Sequence, residues 1–180
     1  MRANDIHMGA AIDEKNRVIL VTGCIDRNDH TIILKVPVPS NGEWTVIKAE
    51  VNITDEPWIA WQINLGEGTT IVEKDKQPEL LMSKNFNNSR YLRDKNTVVF
   101  YSGGEDKDKS EVRPGDAILK YVKVNIENKI FTGSHNRLTS RHGASNFINT
   151  MLTNGDFGKQ FPKIEIIAPV TKINEPDKNF

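Results

Sequence analysis

The sequence predicts a mainly β protein, an antiparallel sandwich or barrel with one or two short helices, one of them near the C-terminus. Three observations lead there. Apolar residues recur with period two along much of the chain, the pattern of half-buried strands. Clusters of Gly, Pro, Asn and Asp separate those runs, as turns require. Helical spacing is clear in one short stretch only.

Taken in order, "RVILVTG" and "TIILKVPV" are strands flanking the Asn/Asp-rich "CIDRNDH". In "TVIKAEVNI" the residues Ile47, Ala49, Val51 and Ile53 form the apolar row that should face the core, with Lys48, Glu50 and Asn52 opposed. "WIAWQINL" repeats this with Ile59, Trp61, Ile63 and Leu65 against Ala60, Gln62 and Asn64. Between them "TDEP" makes a tight connection, because Pro57 fixes φ and lacks a donor. "TTIVEK" and "TVVFYS" follow beside glycine pairs. "AILKYVKVNIE" begins after Pro114-Gly115-Asp116, where glycine admits the positive φ of a type II turn. "ENK" is then a hairpin tip into "KIFTG", and "KIEIIAPV" is the last strand.

Helical spacing in "SNFINTMLTNG" places Phe147, Ile148, Met151 and Leu152 together, with Ser145 as N-cap and Gly155 as the stop. "PELLMSKNF" suits either a second helix or a strand. Weak patterning makes residues 1–17 an N-terminal arm and 172–180 a C-terminal tail around a single domain over 18–171.

The 180 residues are ample for a core, and the 24 basic and 24 acidic side chains cancel. The first 116 residues hold 15 Lys/Arg against 19 Asp/Glu, and the remainder 9 against 5, so the C-terminal part is mildly basic. A single cysteine, Cys24, excludes an internal disulfide and a cysteine-based zinc site; in an apolar run it reads as a buried, inert thiol. Neither a signal peptide nor a run long enough to span a bilayer is expected, which points to a cytoplasmic or virion location.

The chemistry concentrates in "TGSHNRLTSRHGASNF". His135, Arg137, Arg141 and His142 stand in a segment, Asn128 to Gly155, without a carboxylate. Two guanidiniums offer forked donors to an anion, and a histidine pair suits metal-independent RNA cleavage. The bland alternative is a polar loop whose serines and threonines cap a helix. "SRHG" resembles the nucleophile motif of histidine phosphatases. That motif follows an N-terminal strand and precedes a large α/β domain, so its position here rules the family out.

"VRPGDAILKYVKV" resembles the Gly-Asp step that enters a strand in OB-fold single-strand binders, including telomere-end proteins. The resemblance implies a groove lined by Lys120, Tyr121 and Lys123; apart from it, the basic C-terminal half offers Lys120, Lys123, Lys129, Arg137 and Arg141 to phosphates. "SGGEDKDKSE" has carboxylates without calcium-loop spacing. Trp61 belongs to the core. Trp58, three residues earlier on one strand, should face the other way, as a partner anchor or a lid on the core.

The expected function is therefore a non-enzymatic β-rich binding or assembly module, with the outline of a viral or phage structural protein. Its partner is a protein or another copy of itself. The alternatives are single-stranded nucleic-acid binding and a small metal-independent RNase or phosphoesterase. No cofactor, metal or membrane contact is called for.

Overall fold

The computed structural model describes residues 6–25, 31–73, 76–77, 86, 88–92, 96–101, 111–139 and 163–172. Twelve strands fill most of these: β1 (Ile6–Asp13), β2 (Val18–Ile25), β3 (Thr31–Pro37), β4 (Gly42–Asn52), β5 (Trp58–Leu65), β6 (Thr69–Ile71), β7 (Asn88–Leu92), β8 (Thr97–Tyr101), β9 (Ala117–Ile126), β10 (Ile130–Thr139), β11 (Lys163–Ile167) and β12 (Val170–Lys172). They form two six-stranded sheets, β12-β1-β2-β4-β9-β6 and β11-β3-β10-β5-β8-β7. Each sheet ends on two edges, so neither closes into a barrel. Both contribute to one buried cluster, with Val21, Trp44, Val46 and Val122 from the first and Leu34, Trp61, Ile63, Val98 and Phe131 from the second.

The sheets are mixed, which corrects the expected antiparallel arrangement. β1 runs parallel to β12, β2 to β4, and β3 to β11. Most connections cross from one sheet to the other, and a crossing chain is free to return in either direction. No α-helix occurs among the described residues, and the helix expected over 145–154 lies outside them. So does nearly all of "PELLMSKNF"; from it only Phe86 is described, buried in the core.

β1 falls inside the segment expected as an arm. Its pairing with β2 runs from Ile6 to Asp13, and Ala10 and Ile12 are buried. β10 is also twice the expected length. Its polar half, Ser134 to Thr139, is paired with β5 throughout and with β3 as far as His135.

The turns follow the sequence closely. Gly115 takes φ 92°, and the Asp116 N–H donates to the Arg113 carbonyl at 2.9 Å, closing the expected turn. The Glu127-Asn128-Lys129 turn, with Lys129 at φ 58°, is not the hairpin tip expected: it carries the chain from β9 in one sheet to β10 in the other.

The faces of β4 are the reverse of those expected. Trp44, Val46, Lys48, Glu50 and Asn52 are buried, while Ile47, Ala49 and Val51 are half-buried and Ile53 is 45% exposed. Trp44 and Val46 decide the matter, because their bulk lies on the same row as the charged residues and carries that row into the core. Cys24 is half-buried, not fully enclosed.

β5 holds a second correction. Ala60 pairs with Leu138 but Trp58 pairs with Thr139, so β5 carries one extra residue against β10. Such a bulge resets the alternation. Trp58 and Trp61 therefore both enter the core with no exposed surface. A partner reaches Trp58 only if the sheets separate, which leaves the core-lid reading in place of the outward anchor.

Candidate functional site

Two places depart from what a passive β scaffold requires: a charged layer in the interior and an apolar edge.

The interior layer is built by register. Val21, Lys48 and Lys120 stand side by side on β2, β4 and β9. Facing them, Trp61 and Phe100 are neighbours on β5 and β8, with ring centroids 5.9 Å apart. The Lys48 Nζ lies 5.3 Å from the Trp61 ring centroid, and the Lys120 Nζ lies 5.8 Å from that of Phe100. Both ammoniums thus sit on aromatic faces, which attract cations through the ring quadrupole. Glu50 lies two residues along the same row of β4. Lys48 and Glu50 are each 1% exposed and Lys120 is 7% exposed. Burial, which penalises the charged form, pulls the Lys120 amine down to about 8 from an ordinary 10.5.

The neighbouring end of this layer is closed by Asn52. Its Nδ2 donates to the carbonyls of Glu56 and Val112, both at 2.9 Å, and its Oδ1 accepts from the Thr54 N–H and hydroxyl. The Gly115 N–H donates to the Asn52 carbonyl at 2.7 Å. One buried amide so ties the β4–β5 loop to the turn before β9.

The apolar edge is made by the C-terminal strap. β11 borders one sheet and β12 the other, and Ala168-Pro169 carries the chain between them. The Ala168 N–H donates to the Lys35 carbonyl, and the Ala10 N–H donates to the Pro169 carbonyl, each at 3.0 Å. Ala168 is buried, whereas Ile167 is 70% and Val170 40% exposed. Lys35 and Glu165 form an ion pair on the same edge.

The residues expected to line one nucleic-acid groove are dispersed. Lys120 points inward. Tyr121 is buried on the opposite face of β9. Lys123 pairs with Glu43 at 3.3 Å, and the Lys129 backbone N–H donates to Asn41 Oδ1 at 2.7 Å. Lys123 does line a surface pocket of about 350 Å³, together with Lys15, Asn16, Arg17, Glu43 and Thr45. Arg17 is committed there: it stacks 4.4 Å from the Trp44 ring centroid and donates to Ser40 Oγ and to the Asn41 and Glu43 carbonyls.

His135 and Arg137 lie on β10, opposite Ile63 and Trp61 in the ladder, and their side chains lie outside the described part of the structure. Arg141 and His142 are outside it altogether. Sequence reasoning missed Lys48 and Glu50. The available signal was the lone pair of charges following Trp44 and Val46 at period two.

Among the described residues no group of three His, Cys, Asp or Glu side chains is placed to hold a metal ion, and no helix is long and apolar enough to cross a membrane. No curated protein and no solved structure matches the chain. A family model does match, over residues 8–174, from β1 through β12. The chain belongs to the family of unknown function DUF6423.

Proposed function

We propose that the protein is a non-enzymatic assembly module that pairs with a second copy through the edge formed by β11 and β12. The supporting observation is the pair of exposed apolar side chains, Ile167 and Val170, on strands that border both sheets at once. An edge strand presents unpaired N–H and C=O groups that template another strand, and natural edges are normally blunted by charge or cover. Glu165 of β11 pairs with Lys35, and Lys163 and Lys172 stand at the outer ends of β11 and β12, which leaves the apolar Ile167 and Val170 between them. A twofold arrangement lets the same patch serve both partners.

Light scattering on a sizing column, over a wide concentration range, tests this. A dimer or larger species is expected, and Ile167→Glu with Val170→Glu should return it to monomer. A monomer at every concentration sinks the reading.

A second reading rests on the pocket where Lys15, Arg17 and Lys123 converge. There the protein would hold single-stranded nucleic acid through phosphate contacts, with affinity falling steeply as salt rises. Low-salt fluorescence anisotropy should then show binding that Lys15→Ala and Lys123→Ala weaken. Binding untouched by both substitutions removes this reading.

A further inference from the structure

We propose that the surface pocket beside the β1–β2 turn is a binding site for a small phosphomonoester, held by its dianionic phosphate. The site is the pocket of the second reading, on which this inference rests, with a terminal phosphate in place of the diesters of a strand. Three elements meet there. The turn supplies Lys15, Asn16 and Arg17, β4 supplies Glu43 and Thr45, and β9 supplies Lys123. Register brings them together, since Thr45 stands between Lys123 on one side and Val18, next to Arg17, on the other.

The walls are held in place by the protein itself. Asp13 accepts from the Asn16 N–H at 3.0 Å and from its Nδ2 at 2.8 Å, which fixes the turn. Arg17 takes φ 56°, and its carbonyl accepts from the Thr45 N–H at 2.9 Å. Its guanidinium lies on Trp44 and donates to Ser40 Oγ and the Asn41 and Glu43 carbonyls. Gly42 leaves room for it, because a Cβ there would stand 3.2 Å from the Arg17 Nη2. Such preorganisation lowers the cost of binding.

Charge selects the ligand. The lining sets Lys15, Arg17 and Lys123 against one carboxylate, Glu43, for a sum of +2. Glu43 is engaged by Lys123 at 3.3 Å. Every hydrogen-bond acceptor of Arg17 is neutral. Lys15 has neither a hydrogen bond nor an ion pair among the described residues. Asp13 and Glu14, on or beside the same turn, do not line the pocket. A phosphomonoester carries about −2 at pH 7.5 and matches that sum, whereas a diester carries only about half as much. Lys15 and the Thr45 hydroxyl supply donors to its oxygens, and Arg17 a fixed positive charge. The volume of about 350 Å³ is that of a small-molecule site and accommodates an organic group beside the phosphate.

Full-length protein is titrated by calorimetry at pH 7.5 and low salt with glycerol phosphate, a monoester, and with dimethyl phosphate, a diester. Glycerol phosphate should bind at least about tenfold more tightly, and Lys15→Ala should weaken it by about tenfold. Glu43→Gln should tighten it, because a repelling carboxylate leaves and Lys123 is released to the phosphate. Absent binding, equal binding of the two esters, or no gain from Glu43→Gln overturns the proposal. A 5′-phosphorylated oligothymidine and its 5′-hydroxyl form separate this site from the second reading. If both strands bind alike and glycerol phosphate does not, strand binding stands and the monoester site falls. If glycerol phosphate binds and neither strand does, the reverse holds. Preference for the 5′-phosphorylated strand, together with glycerol phosphate binding, supports the site and makes a strand end the source of its phosphate.

Discussion

Lys120 carries a cost that its position does not offset. Its folded pKa, about 8, lies below the unfolded 10.5, so at neutral pH the unfolded chain is the better proton acceptor. Stability should therefore be lowest below about pH 8 and rise as pH climbs toward 10.5. Lys120→Met should stabilise the protein at pH 7 by up to about 3 kcal/mol and flatten that rise, as read by urea denaturation across pH. Asn52 has the opposite character, since every polar atom of its amide is used in the interior. Asn52→Ala leaves the Thr54 N–H without its acceptor and takes one donor each from the Glu56 and Val112 carbonyls, which keep the Thr54 hydroxyl and the Trp58 N–H. A loss of about 2–4 kcal/mol is expected by the same measurement.

At the scale of elements, turn chemistry is the most dependable signal. Gly68 takes φ 83°, and a Cβ there would meet the Asn128 side chain at 2.7 Å. Gly68→Ala should cost at least about 1 kcal/mol, seen as a lower midpoint in thermal unfolding. Alternation was equally readable for β4 and β5, but their inward faces were not. Both rows of β4 contain apolar residues, and a period alone does not rank a tryptophan against three aliphatics. The bulge that brings Trp58 into the core depends on β10, a partner far away in sequence. β10 itself was cut short because Ser134, His135, Asn136 and Arg137 lack any apolar row; their strand form comes from pairing with β5, joined by β3 as far as His135. Gln77 shows the same dependence. Its side-chain amide donates to the Lys123 carbonyl and accepts from the Lys123 N–H, occupying a stretch of β9 where a strand partner would otherwise sit. The interior lysine pair was hidden for a related reason. Lys48 and Lys120 are 72 residues apart, and only the β4–β9 register makes them neighbours.

Across the whole molecule, only β1–β2, β7–β8 and β10–β11 are consecutive strands of the same sheet. Every other step crosses, so neither sheet can be completed without the other, and the core forms as one unit. Such non-local pairing slows folding. Refolding by stopped flow should be a single phase in the millisecond-to-second range, and a microsecond phase carrying the full amplitude would contradict this topology. The strap adds a constraint of another kind. β1 is paired on one side by β2 and on the other by β12, with Ala10 opposite Val170. During synthesis β1 leaves the ribosome about 160 residues ahead of its outer partner. Until β12 follows, the nascent chain therefore carries an open β edge, and a chaperone or a neighbouring chain on the same message has that interval in which to fill it.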